Sequence, residues 1–287
     1  MPYFFLEEII SEFLKNVSGY KKNRCRKDLL RMISEIKKIP YDNLFFSTKN
    51  FSITEDEKKK LDKFWERYQK NEPLSKIIQK KSFWNHDFFV NHDVLDPRPE
   101  TELIIEAALS IFSSEKFLKI LDIGTGSGCI LLSLLEEFKN SSGIGIDISE
   151  KAISVAEKNK NNLKIDRAKF ITENFEKYFW NHHEKFDLIV SNPPYIKTKD
   201  IETLDENVKN FDPLIALDGG EDGLRFYRSL AYSVKPMLND HGAFIIEIGY
   251  GQAKDVVKIL EDNNFFVENL LKDWAGIERV IVSKNIA

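Results

Sequence analysis

The sequence predicts an α/β protein: a doubly wound, mostly parallel sheet, preceded by a small all-helical domain and joined to it through a β-hairpin. Three observations predict this. Apolar residues recur at three- and four-residue steps over 1–73, and strand and helix patterns alternate from Lys119 onward. The segment 187–191 carries an unbroken apolar centre, as expected of a strand covered on both faces.

In the first 73 residues, Phe5, Ile9, Ile10, Phe13 and Leu14 fall on one helical face. Leu29, Leu30, Ile33 and Ile36 fall on a second, and Leu61, Phe64, Trp65 and Tyr68 on a third. The segment 43–54 reads as a turn-rich break. Thr54-Glu-Asp-Glu57 is a capping box, so a helix opens there. A linker over 74–97 contains the hairpin, with Asn85, His86 and Asp87 as turn formers between apolar runs from Phe83 to Val90. Pro99 is placed to start a helix over 101–112. The domain 98–287 then alternates. Strands are expected over 119–123, 143–147, 169–172, 187–191, 243–248, 265–270 and 279–283. Helices are expected over 129–138, 150–159, 224–238 and 252–262. Such alternation gives parallel pairing with ligands outside the carboxyl ends of the strands.

Composition narrows the class. Of 287 residues, 42% are hydrophobic and the formal charge is -4, which argues against global disorder and against a generic nucleic-acid binder, although the total hides local charge. No apolar run approaches the roughly 18 residues of a spanning helix. Glu7, Glu8 and Glu12 interrupt the apolar start, so no signal peptide is read there. Cys25 and Cys129 make neither a disulfide framework nor a zinc site, and His182-His183 lack spaced partners for a metal. A cytoplasmic, monomeric protein without membrane or stable nucleic-acid attachment is expected.

Two motifs carry chemistry. Gly124-Thr125-Gly126-Ser127-Gly128 follows a strand and opens a helix, so its backbone can turn sharply against a ligand. The spacing is G-x-G-x-G, not the G-x-G-x-x-G of a dinucleotide site, and no Lys-Ser/Thr pair follows, which excludes a P-loop. Asp147 ends the next strand, where a carboxylate can accept both ribose hydroxyls. Asp122 stands beside the loop, either orienting it or facing a cationic end of the cofactor. After the third strand, Asn174 and Phe175 can hold an adenine amine and ring face. These features suit a nucleotide-type cofactor, and the departure from the dinucleotide spacing suits one such as S-adenosylmethionine (SAM), which has no phosphate to seat.

The second motif is Asn192-Pro193-Pro194-Tyr195, at the end of the buried strand. Prolines fix φ, remove donors and push the preceding residues to extended geometry. A stiff bend then presents the Asn192 side-chain oxygen and the Pro193 carbonyl, two acceptors for the two hydrogens of an NH2 group. Tyr195 offers a flat face. Gripping both N–H bonds turns a delocalised lone pair toward the activated methyl, so alignment and electrostatics carry the reaction without a strong base.

The chain resembles the HemK/PrmC family, the N5-glutamine methyltransferases of peptide chain release factors. The elements are Pro73-Leu74, the hairpin from Phe83 to Val90, Val94-Leu-Asp-Pro-Arg-Pro-Glu-Thr-Glu102, Asp122-Ile-Gly-Thr-Gly-Ser-Gly-Cys129, Asp147, Asn192 to Tyr195, Ala216-Leu-Asp-Gly-Gly-Glu-Asp-Gly-Leu224 and Lys272-Asp-Trp-Ala-Gly-Ile-Glu-Arg-Val280. The resemblance implies a Rossmann-like SAM-dependent methyltransferase domain. It implies Gly124 to Gly128, Asp147, Asn174 and Phe175 as cofactor contacts, with Asn192 beside them. It implies Asn192, Pro193 and Tyr195 as catalytic, with Pro194, Arg98, Glu100 and Thr101 completing the substrate site. The substrate is then the glutamine of a Gly-Gly-Gln motif in a release factor. Asn85 stands where the family has glycine and Asp96 where it has an apolar residue, which is expected to alter the hairpin turn and the packing of the linker.

Nine Lys/Arg against two acids lie over 15–38. This is a solvated helix face, or else a docking surface for the protein substrate or a site of transient RNA contact. Two other functions share the motifs: an adenine N6-methyltransferase on DNA or RNA, which needs base flipping and a basic groove, and a SAM-binding regulator without catalysis.

Overall fold

The computed structural model describes residues 3–17, 19 and 21–285. Met1, Pro2, Ser18, Tyr20, Ile286 and Ala287 lie outside the described residues, so the expected 1–73 domain and the basic stretch 15–38 are described without them. Two compact units divide between Gln79 and Lys80.

The front unit packs α1 (Leu6–Phe13), α2 (Lys21–Lys37), α3 (Tyr41–Phe46), α4 (Glu55–Gln69) and α5 (Leu74–Ile78) around Leu6, Ile9, Leu30, Ile33, Leu61 and Trp65. α5 belongs here because Ile77 is buried in the same core, so this unit runs past residue 73. The Thr54 hydroxyl accepts from Glu57 N at 3.2 Å and the Glu57 carboxylate accepts from Thr54 N at 2.8 Å, the expected capping box. Two sequence expectations give way here. Phe5 is exposed at the end of strand β1 (Tyr3–Phe5), and the presumed break over 43–54 holds the end of α3 and strand β2 (Ser52–Thr54). β1 pairs antiparallel with β2, and that tertiary pairing overrides the helical period at residue 5.

The second unit opens with the hairpin β3 (Lys80–Phe83) and β4 (His86–Phe89). Its two-residue turn puts Trp84 at φ +52°. The left-handed residue of the turn is Trp84, not Asn85, the position where the family has glycine, and glutamates hold the turn. Trp84 N donates to Glu102 Oε1 at 2.8 Å, and Trp84 Nε1 and Asn85 Nδ2 both donate to Glu137 Oε1, at 2.6 and 3.2 Å.

The main sheet contains β5 (Lys119–Ile123), β6 (Ser142–Asp147), β7 (Ala168–Thr172), β8 (Phe186–Ser191), β9 (Leu238–Glu247), β10 (Phe265–Lys272) and β11 (Glu278–Asn285). Their order is β10-β11-β9-β8-β5-β6-β7, parallel from β9 to β7 and antiparallel at β11 and β10. Successive residues serve opposite faces, as strand geometry requires. Ile120, Leu188, Val190, Ala243 and Ile245 pack with α6 (Glu102–Ile111), α7 (Cys129–Glu137) and α8 (Glu150–Leu163). Leu121, Ile189, Phe244 and Ile246 pack with α9 (Phe175–Asn181), α11 (Arg225–Val234) and α12 (Ala253–Asp262), while the short α10 (Glu206–Lys209) contributes no buried residue. α9 is absent from the sequence expectation, although Asn174 caps it by accepting from Glu176 N and Lys177 N. α11 stops at Val234 because Pro236 cannot continue it, and β9 begins at Leu238 instead of residue 243. Among the described residues, no helix is long and apolar enough to cross a membrane.

Replacing Thr54 by alanine removes the cap of α4. The expected loss is about 1 kcal/mol of front-unit stability, read as a lower denaturant midpoint for that unit. An unchanged midpoint would show that the cap is dispensable.

Candidate active site

The chain runs from β5 outward to β6 and β7, then returns to place β8 on the other side of β5. Adjoining carboxyl ends at such a reversal leave a crevice. In register, Ile123 pairs with Ser191, so the glycine loop after β5 and the Asn-Pro-Pro-Tyr bend after β8 emerge side by side. The Ser191 hydroxyl donates to the Ile123 carbonyl at 2.8 Å and ties the two exits together.

Gly124, Gly126 and Gly128 have φ of +72°, +54° and +78°, a left-handed series that other residues adopt only under strain. Gly124 N and Thr125 N donate to the Ile146 carbonyl at 2.9 and 3.0 Å. The Thr125 hydroxyl donates to Asp122 Oδ2 at 2.6 Å, and Gly126 N to Asp147 Oδ2 at 2.9 Å. Asp122 therefore orients the loop. It is fully buried, and its other oxygen has no hydrogen-bond partner. Burial, with Asp147 nearby, pushes its carboxyl up to about 7. Burial also raises the Asp147 carboxyl, against the backbone hydrogen bonds that favour its ionised form.

A cavity of about 480 Å³ opens against this loop. Gly124, Thr125, Gly126, Ser127, Asp147, Asn174 and Phe175 line it, as do Asn192, Pro193, Pro194, Arg98 and Thr101. Gly128 does not. A side chain there would meet Phe170 at 2.9 Å, so its glycine serves the packing of α7. The Asn174 oxygen is engaged in capping α9, while the Phe175 ring packs edgewise on Phe179 at 5.9 Å. Ile148, Ile215 and Phe226 add apolar wall that motif reading missed, because such residues lack a chemical signature in sequence. The size, the apolar wall and the carboxylate at the end of β6 fit an adenosyl cofactor.

A second cavity of about 330 Å³ adjoins it. Glu100, Tyr195, Glu247 and Arg279 line this one, and Arg98, Asn192 and Pro193 are among the residues that line both. Asn192 Nδ2 donates to Thr101 Oγ1 at 3.1 Å, the Thr101 hydroxyl donates to Glu247 Oε2 at 2.6 Å, and the Tyr195 hydroxyl lies 3.4 Å from Glu247 Oε1. Burial raises the Tyr195 phenol and pushes the Glu247 carboxyl up to about 7, the latter against Thr101 and Arg279, which favour ionisation. Arg98 Nη2 pairs with Asp212 Oδ2 at 2.8 Å. Glu247 and Arg279 carry no motif signature in the sequence, and Glu247 is the polar residue that ends the apolar strand β9.

The bend itself is cradled by glycines. A side chain at Gly219 would meet the Tyr195 backbone at 2.8 Å, and Gly219 N donates to the Ile196 carbonyl at 2.8 Å. Gln252 Nε2 donates to the Tyr195 carbonyl at 3.0 Å. A side chain at Gly223 would likewise meet the Tyr195 carbonyl, so Gly219 and Gly223 let the segment 217–223 lie against the bend.

Residues 114–283 match a family model described as "Methyltransferase domain". A "Release factor glutamine methyltransferase" of Fusobacterium nucleatum subsp. nucleatum is 40% identical over 287 residues, covering 98% of this chain and 80% of that protein. One of the same name from Thermodesulfovibrio yellowstonii is 37% identical over 279 residues, 96% of this chain and 95% of its own. A methyltransferase from Pyrococcus furiosus shares the fold, with TM-score 0.52 and 17% identity over 77% of this chain and 98% of its own.

Asp122→Asn keeps an acceptor for Thr125 and removes a buried charge. The folded carboxyl titrates near 7 against an ordinary value of 3.8, so the folded state holds the extra proton between these limits. Wild-type stability therefore falls as pH rises through that window. The variant is expected to be more stable than wild type at about pH 8, with the advantage shrinking toward about pH 4. A pH-independent difference in denaturation midpoint would contradict the burial of that charge.

Proposed function

The chain belongs to the release factor glutamine methyltransferase family, and on that premise we propose that it methylates the side-chain amide nitrogen of the glutamine in the Gly-Gly-Gln motif of a release factor. The carrying observation is that two cavities meet at Asn192 and Pro193, one against the glycine loop and one against Tyr195. An acceptor held in the second then faces a donor held in the first.

SAM supplies, when bound, a methyl carbon made electrophilic by its sulfonium. The protein's part is positional. Gly124 to Ser127 give backbone room, Asp147 accepts the ribose hydroxyls and Phe175 packs beside the base. Asn192 Oδ1 and the Pro193 carbonyl accept the two amide hydrogens, holding the nitrogen lone pair toward the methyl carbon. Pro194 stiffens the bend, and Tyr195 packs on the planar carboxamide. Transfer would form the N–C bond as the methyl–sulfur bond breaks with its electron pair going to sulfur, and the nitrogen, left positively charged, would lose one N–H proton to water without a strong base. Arg98, Glu100 and Thr101 border the pocket in which the glutamine lies. Family membership favours glutamine over adenine as the acceptor.

The front unit is read as the part that recognises the release factor. Lys21, Lys22, Arg24 and Lys27 are exposed on α2 and give it a basic face. Reversing Lys21, Lys22 and Lys27 to glutamate is expected to raise KM for the release factor roughly three- to tenfold, with less dependence on salt. SAM affinity should be untouched. An unchanged KM would leave α2 as solvated surface.

Incubation with labelled SAM and a purified release factor tests the activity. Label should enter the factor and not its Gln→Ala variant. Asn192→Ala should abolish transfer while calorimetry shows SAM affinity nearly intact. Asp147→Ala should weaken that affinity by about 1–3 kcal/mol. Transfer by Asn192→Ala at near wild-type rate would refute the two-acceptor grip.

A further inference from the structure

We infer that Glu247, acting through the Thr101 hydroxyl, is a positioning residue that fixes which end of the Asn192 carboxamide faces the acceptor, and so selects a carboxamide over a carboxylate; this rests on the glutamine reading above. An ionised carboxylate only accepts hydrogen bonds, and a hydroxyl has one proton to donate. Thr101 Oγ1 lies 2.6 Å from Glu247 Oε2 and 3.1 Å from Asn192 Nδ2. With its proton committed to Glu247, Thr101 offers Asn192 only lone pairs. Nδ2 answers with a hydrogen, and Oδ1 is left at the opposite corner of the amide. A bare asparagine can turn either end outward at little cost. This one cannot without setting two acceptors or two donors against each other.

Register supplies the relay. Ser191 pairs with Ile246, so Asn192 and Glu247 leave neighbouring strands together, and Thr101 reaches both from the start of α6. Thr101 and Glu247 are each at most 2% exposed, which shields the relay from competing water. Arg279 favours the ionised glutamate, Glu100 opposes it, and the Tyr195 hydroxyl 3.4 Å from Oε1 is a further donor to it. The Tyr227 hydroxyl donates to the Glu247 backbone carbonyl at 3.3 Å and holds that strand end in place.

The selectivity follows from charge. A fixed Oδ1, together with the Pro193 carbonyl, accepts the two hydrogens of a glutamine amide and repels a glutamate carboxylate. Once the relay is cut, Nδ2 can turn outward and donate to a carboxylate. Protonating Glu247 also loosens the relay, because a neutral carboxyl can donate to Thr101 and free its proton for Asn192 Oδ1.

Thr101→Val removes the hydroxyl at nearly constant volume, and Thr101→Ser restores it. Methyl transfer to a purified release factor is measured for both, with the Gln→Glu and Gln→Ala release factors as competitive inhibitors. The valine variant should lose about tenfold or more in kcat, the loss of one buried charge-assisted hydrogen bond. Its KM for SAM should hold within about twofold. Its relative affinity for the Gln→Glu factor over the Gln→Ala factor should rise about threefold or more as the asparagine is released. The serine variant should recover wild-type behaviour on all three. Glu247→Gln, which cannot titrate, should flatten the decline in wild-type rate as pH falls through about 7. Serine impaired like valine, or valine within about twofold of wild type in rate and selectivity, would overturn the relay. No transfer by the wild-type enzyme would instead overturn the glutamine reading beneath it.

Discussion

Parallel hydrogen bonding between β5 and β8 sets Ile123 opposite Ser191. The sheet reverses its winding at this pair, so the loops that leave it have no crossover helix between them and open onto one crevice. Residues 124 and 192 become neighbours through register alone. A one-residue slip would send each loop's side chains to the opposite face. On β9, Ile246 pairs with Ser191 and brings Glu247 beside Asn192.

Rigidity around that crevice has several sources. Prolines stiffen the bend after β8, and Gly219 and Gln252 hold its far side. On the cofactor side, Asp122 and Asp147 anchor the glycine loop through Thr125 and Gly126. Both carboxyls are held above their ordinary range by burial. A weak nucleophile such as an amide nitrogen gains most from alignment, and alignment needs walls that do not yield. Glycines let the loop turn left-handed without strain, while a stiff proline pair and buried carboxylates fix the geometry at a cost in stability.

Much of this was legible in the sequence because the signals are local. The capping box at Thr54, the strand–glycine–helix turn at 124–128 and the two prolines after Asn192 each constrain a few consecutive residues. The front helices and the parallel core strands follow from apolar periodicity. Signals that depend on distant partners were not legible. Phe5 has helical spacing but pairs as a strand with residues near 52, and the hairpin turn at Trp84 relies on Glu102 and Glu137. Asn174 was read for its place at a strand end, and its oxygen caps a helix that was not foreseen. Glu247 looked like the polar end of a strand, and only the register with β8 makes it part of the site. Ile148 and Phe226 became cavity wall through the fold alone.

One asparagine and one backbone carbonyl are proposed to hold the acceptor amide between the two cavities. A crystal structure of the enzyme with S-adenosylhomocysteine and a release factor measures this directly. The glutamine nitrogen is expected about 3 Å from both Asn192 Oδ1 and the Pro193 carbonyl, with the thioether sulfur on the side of the glycine loop. A glutamine nitrogen bonded elsewhere, or Asn192 presenting its Nδ2 to the substrate, would contradict it.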